Sequence, residues 1–156
     1  MVDVGDKDKT ERIAVARGVV RMKAITLDRI TERDVPKGDV FATARIAAIG
    51  AIKRTSELIP LCHAIAVTGC EVTFTIDRRQ PFVVIDVRVT ARDRTGVEME
   101  ALTGVCVAAL TIYDMVKAID RAVTIEQVAL LEKRGGKGGT WSQSKLKVRP
   151  NRPRPR

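Results

Sequence analysis

The chain is poor in the side chains that most often mark a function. Its 156 residues include three Phe, one Tyr and one Trp, too few for the paired strand aromatics on which RNA-recognition modules stack bases. The single histidine, His63, and three cysteines, Cys62, Cys70 and Cys106, show neither CxxC nor other metal-ligand spacing, which argues against a zinc centre. An odd cysteine count builds no complete disulfide framework, so reduced, mostly buried thiols in a cytoplasmic protein are expected. No uninterrupted apolar run approaches the roughly 20 residues of a membrane span, and the opening MVDVGDKDKTER is charged, so neither a membrane segment nor a signal peptide is expected.

Acids are also missing, but only locally. The net charge is +9, and residues 135–156 carry seven Lys or Arg and no Asp or Glu, which leaves +2 for residues 1–134. The basicity is therefore a property of the tail rather than a nucleic-acid-binding face. The tail, GGKGGTWSQSKLKVRPNRPRPR, is rich in Gly, Ser, Pro and charge and is expected to stay unfolded beyond its first few residues. One domain over residues 1–134, followed by a basic tail over 135–156, is the resulting organisation.

What the chain does contain is periodic. Residues 13–23 read as a strand that Gly18 interrupts with a bulge, after an arm over residues 1–12. A short helix is expected over 27–33. Asp39 stands in N-cap position before a helix whose apolar side runs through Val40, Phe41, Ala44, Ala48 and Ile52 and which Pro60 ends. Cys70, Val72, Phe74 and Ile76 alternate with polar residues, as do Val83, Ile85, Val87 and Val89, predicting two strands joined by a hairpin loop over 77–81. A last strand is expected over 128–131, stopped by Gly135 and Gly136. The order β, α, β, β, α, β predicts an α+β fold of the ferredoxin-like split βαβ type, an antiparallel sheet with helices on one face.

The stretch GVEMEALTGVCVAALTIYDMVK (96–117) is the most telling. No charged side chain lies between Ala101 and Tyr113, which predicts a helix buried on nearly all sides. Glu98 and Glu100 precede that apolar rod, and Asp114 and Lys117 end it. Glu100 and Asp114 lie about 21 Å apart at about 1.5 Å rise per residue, so they cannot share one small site within a single helix. Either they serve different sites, or a second subunit brings one helix's beginning near another's end.

Several residues carry chemistry on their own terms. Lys37 precedes the outward-pointing first amides of a helix, a recurrent phosphate-binding arrangement, although a solvated lysine in a PKGD turn reads equally well. Asp114 and Lys117 at i, i+3 form either a surface ion pair or an acid and base poised for proton transfer. His63 follows a proline in an apolar context and reads first as a partly buried side chain. The run from Lys133 to Gly139 lacks the spacing of a nucleotide phosphate loop, yet a basic strand exit of this kind can close over an anion.

Longer blocks go further. KGDVFATARIA (37–47), KRT with LIPLCH (53–63), TGVEMEALT (95–103), AALTIYDM (108–115) and the GGK after Leu131 resemble the cyclic pyranopterin monophosphate synthase family of molybdenum cofactor biosynthesis, MoaC, collinearly from about Val2 to Gly139. The resemblance implies a lyase that rearranges a 3′,8-cyclised dihydro-GTP to cyclic pyranopterin monophosphate with release of pyrophosphate, following a radical S-adenosylmethionine partner enzyme. It further implies a ferredoxin-like fold and a hexamer built from dimers, with active sites at the dimer interface. No resident cofactor or metal is implied; magnesium would come only with the triphosphate. Carried over by position, Asp114 is the catalytic aspartate and Lys37 and Lys117 are essential lysines. Leu61, Cys62, His63, Met99 and Glu100 match substrate-contacting segments, and Arg12 and Lys133 match further basic residues of the pocket. Ala64, where a proline commonly follows the histidine, Gly138, where Ser is frequent, and the Arg-Pro tail depart from the pattern without removing an ionisable group.

Two readings compete. An RNA-recognition module shares the fold and would use the basic tail, and affinity that survives cutting at Gly135 would favour it. A purely structural oligomer would use the charged helix ends as interface ion pairs, and exchanging Asp114 and Lys117 as a pair would restore it without rescuing an enzyme.

Overall fold

Alternation of apolar and polar residues decides which side of the sheet is covered. Val83, Ile85, Val87 and Val89 are fully buried, whereas Val84, Asp86, Arg88 and Thr90 between them stay partly exposed. A strand of this pattern needs one packed face and one wetted face. The computed structural model, which describes residues 1–77 and 80–143, provides both.

In chain order the elements are β1 (Thr10–Arg21), α1 (Ala24–Thr31), α2 (Val40–Lys53), α3 (Thr55–Leu58), β2 (Val67–Asp77), β3 (Phe82–Asp93), α4 (Glu98–Val116), β4 (Thr124–Arg134) and β5 (Trp141–Ser142). The strands form one antiparallel sheet in the order β2-β3-β1-β4-β5, with α2 and α4 side by side on one face. The first four strands have the split βαβ arrangement expected of the sequence.

The central helix crosses the sheet closely because the strand beneath it makes room. A Cβ at Gly18 would lie 2.5 Å from Val105 Cγ1 of α4. Gly18 also sits where the register between β1 and β4 shifts, so it serves both the irregularity expected there and the approach of the helix. On the wetted face the register pairs Arg17 with Asp86, and their side chains form a two-pronged ion pair with Arg17 Nε 2.6 Å from Asp86 Oδ1.

Four expectations change. Asp39 does cap α2, accepting from the Ala42 amide at 3.0 Å, but α2 stops at Lys53 and α3 intervenes before Pro60. β4 runs over eleven residues rather than 128–131; Gln127 stands in the left-handed region (φ 55°) where β4 departs from regular pairing with β1, which hides the alternation. β5 returns onto β4, pairing Trp141 with Lys133 and Ser142 with Glu132, so the fold extends past residue 134. The rest of the expected tail, residues 144–156, lies outside the described residues, as do residues 78–79 of the hairpin loop. Finally, α4 is not buried on nearly all sides: Leu110 is 57% exposed and Cys106 is also exposed. By length and composition α4 could cross a membrane, yet half of its apolar window is buried against the sheet and α2.

One buried carboxylate ties the turn before β4 to the start of α1 at one end of the sheet. Asp120, 1% exposed, accepts from the Lys23 amide at 2.8 Å, the Thr26 hydroxyl at 3.2 Å and the Ala122 amide at 3.0 Å. Burial works to raise its pKa, and these hydrogen bonds with the charge of Lys23 outweigh it, so the carboxyl lies below its ordinary value. A depressed carboxylate contributes stability above its unfolded pKa, near 4, which is lost as pH falls through the lower folded value. Asp120→Ala is therefore expected to lower the thermal midpoint at pH 7 by roughly 5–10 °C, because one buried and two part-buried donors lose their acceptor. The deficit should shrink on acidification below about pH 4 in a calorimetric series.

Candidate active site

The ionisable residues singled out from the sequence gather at the two ends of α4. At its C-terminal end Asp114 accepts from two lysines: Lys37 Nζ lies 2.5 Å from Oδ2, and Lys117 Nζ 2.7 Å from Oδ1. Lys37 Nζ also donates to the Asp114 carbonyl at 3.1 Å, which fixes the turn before α2 against the end of α4. The Asp114 carboxyl is lowered from 3.8 to about 2 by hydrogen bonding to Lys117 first, then to Lys37, and by their charges. Lys117 is raised by Asp114, opposite to the lowered lysine that proton transfer near neutral pH calls for. All three side chains are about half exposed, so in a single chain this cluster faces solvent.

The N-terminal end of α4 is a cavity of about 520 Å³. Its walls include Arg12 of β1, Arg94 and Gly96 of the loop before α4, Glu98 of α4 and Lys133 to Gly138 at the exit of β4. Six cationic side chains and two carboxylates line it, a net charge of +4. The Arg12 guanidinium donates to the carbonyls of Asp93 and Arg94, both at 3.1 Å. It lies so close to Gly136, at φ 72°, that a Cβ there would fall 1.8 Å from Nη1. The glycine run that lacked phosphate-loop spacing thus has a physical reason: it lets the Arg12 guanidinium approach the backbone.

Beside this cavity lies a buried acid. Glu100 is 3% exposed, and its Oε2 has no hydrogen-bond partner among the described residues. Burial, helped by the charge of Glu98, raises its carboxyl above the ordinary value. Its charge is also felt by the Cys62 thiol, which burial and Glu100 push up. The loop Leu61-Cys62-His63 therefore belongs to this end of α4, with Leu61 exposed and Cys62 and His63 half-buried. Met99, 37% exposed, is on the same turn.

One protomer thus brings Lys37, Asp114 and Lys117 together, places Arg12 and Lys133 on the cavity wall, and sets Cys62 within reach of the Glu100 charge at the same end of α4. It does not join the two groups: sixteen residues of helix between Glu98 and Asp114 span about 24 Å. Lys37 accordingly cannot share an anion with Arg12 and Lys133 inside one chain, which leaves the two alternatives read from the sequence, separate sites or a site completed by a second subunit. Glu98, which along the chain is a carboxylate in the first turn of a helix, has its Oε1 3.2 Å from Lys133 Nζ. Only the tertiary approach of β4 to α4 reveals that pair.

Comparison with known proteins decides between the readings. The MoaC family model matches residues 1–136. The chain belongs to the MoaC family. It is 53% identical over 141 residues to the cyclic pyranopterin monophosphate synthase of Thermomicrobium roseum, covering 90% of this chain and 85% of that protein. It is 54% identical over 145 residues to the protein of that name from Novosphingobium aromaticivorans, covering 90% and 88%. It is 52% identical over 143 residues to the one from Thermoanaerobacter sp., covering 92% and 90%. An RNA-binding MoaC chain would still need paired free strand aromatics, but Phe82 is buried and Phe74 stacks on Phe41 of α2 with ring centroids 5.0 Å apart, which leaves Trp141 of β5 as a single exposed strand aromatic among the described residues.

Proposed function

We propose that the two half-sites of this MoaC chain close into one active site between two copies of the chain. The activity is that of a lyase of molybdenum cofactor biosynthesis, which converts a 3′,8-cyclised dihydro-GTP to cyclic pyranopterin monophosphate and releases pyrophosphate. The observation that carries the shared site is the separation of the two charged groups along α4, together with uncovered apolar residues on the outer helical face. Ile46 of α2 is 72% exposed and Leu110 of α4 57% exposed. A two-fold axis that covers these residues sets one helix's end against another's beginning, because an isologous contact repeats each pairing in reverse.

In the joined site, Arg12 and Lys133 hold the triphosphate and offset the charge that builds on departing pyrophosphate. Asp114, Lys37 and Lys117 of the other copy move protons during opening of the purine-derived ring and closure of the pyran. Burial under a neighbouring chain disfavours the charged ammonium, and each lysine disfavours a second positive charge beside it, so both effects act to bring a lysine down towards neutral pH. Leu61, Cys62, His63, Met99 and Glu100 contact the ring system. A hexamer of three such dimers, a radical S-adenosylmethionine enzyme supplying the substrate, and a cytoplasmic location complete the proposal. The protein needs no resident cofactor, and magnesium arrives only with the triphosphate.

Incubating the full chain with the cyclised dihydro-GTP tests this directly. Equal amounts of pyrophosphate and cyclic pyranopterin monophosphate are expected, and absence of both overturns the proposal.

A further inference from the structure

The cavity at the start of α4 holds a carboxylate that the reaction as described leaves without a task. Glu98 folds back over the loop preceding its own helix: a Cβ at residue 96 would lie 1.9 Å from Glu98 Oε2, so only Gly96 leaves space for this conformation. A glutamate in the first helical turn satisfies the dipole from outward conformations as well, so the dipole does not account for the fold-back. The Lys133 ammonium, 3.2 Å from Oε1, does.

The neighbouring cations are held differently. Arg12 rests on two backbone carbonyls, which fix its guanidinium without neutralising it. Arg134 pairs with Glu132. Lys133 is thus the cation of the cavity wall whose charge Glu98 covers, and at 28% and 43% exposure the pair stays open enough to exchange.

We infer that Glu98 is a displaceable counter-ion. Its carboxylate occupies the Lys133 ammonium in the empty site, yields that place to a phosphate of the incoming polyphosphate, and takes it back as pyrophosphate leaves. The inference rests on the reading of this cavity as the triphosphate seat. Glu98 acts through Lys133 and is a positioning residue. Displacing it costs the same free energy for either polyphosphate, so it weakens the hold on both, and pyrophosphate, which has no ring system to anchor it, is left the weaker ligand.

Titration of inorganic pyrophosphate into the full chain at fixed salt, read by calorimetry, tests the inference. Glu98→Gln keeps length and removes charge, and is expected to bind pyrophosphate about tenfold tighter and to show stronger pyrophosphate inhibition of turnover. The gain must vanish without its cation: Glu98→Gln with Lys133→Gln should bind no tighter than Lys133→Gln alone. Glu98→Asp, which keeps the charge on a shorter arm, should fall between Glu98→Gln and the unaltered chain. Unchanged or weaker affinity in Glu98→Gln overturns the inference, as does a gain that survives loss of Lys133. With normal turnover and an unmoved affinity the counter-ion role alone fails; without pyrophosphate binding or turnover in the unaltered chain, the reading of the cavity fails with it.

Discussion

Asp114→Asn is expected to lower the rate of cyclic pyranopterin monophosphate formation by about 10³-fold or more while the fold persists. The amide keeps the shape of the side chain but can neither carry a proton between substrate atoms nor hold two ammonium groups at 2.5 and 2.7 Å. Lys37 and Lys117 are then left facing one another across a neutral group, and the charge balance that places them is gone. Because the Asp114 side chain is 53% exposed, its replacement disturbs no packed core, and the thermal midpoint should stay within a few degrees of the unaltered chain. The freed lysines attract an anionic substrate no less, so the loss should fall on kcat rather than on KM. Single-turnover measurements with the cyclised dihydro-GTP read both. An active Asp114→Asn chain, or one that unfolds, removes Asp114 from the chemistry.

A second experiment has a larger and more discriminating outcome. Asp114→Asn and Lys133→Gln chains, each inactive alone, are expected to recover activity when unfolded and refolded together. If each site takes Asp114 from one copy and Lys133 from the other, a mixed dimer holds one site with both lesions and one with neither. Random pairing of equal amounts makes half the dimers mixed, so about a quarter of the normal activity should return. Two lesions in a site formed within one chain would give no recovery at any ratio. The 24 Å of helix between the two ends makes the second outcome incompatible with one small substrate touching both.

The sheet was legible because its alternation is strict: β2 and β3 wet one face, and period-two patterning survives in the letters. Asp39 could be assigned as a cap because its carboxylate meets an amide only three residues away, a local bond that local sequence specifies. β4 was read too short and β5 not at all, since an irregular register and a two-residue pairing leave little periodic signal. For the site, identities were readable and neighbourhoods were not. Asp114 and Lys117 are three residues apart and their pairing follows from helix geometry, but the third partner, Lys37, is 77 positions away. Glu98 looked like an ordinary first-turn acid, and nothing in its surroundings along the chain announces Lys133.

The amino-acid order alone thus determined the order of the elements other than α3 and β5, the fold class, the family and the list of ionisable residues, because these depend on periodicity, caps and short blocks whose partners lie within a few residues. The tertiary structure decided which cations face which carboxylates. It divided the site into two clusters at opposite ends of α4, left Ile46 and Leu110 uncovered, and folded Glu98 onto Lys133. Those outcomes depend on how closely α4 lies on β1 and where β4 leaves the sheet, distances set by packing between segments far apart in the chain.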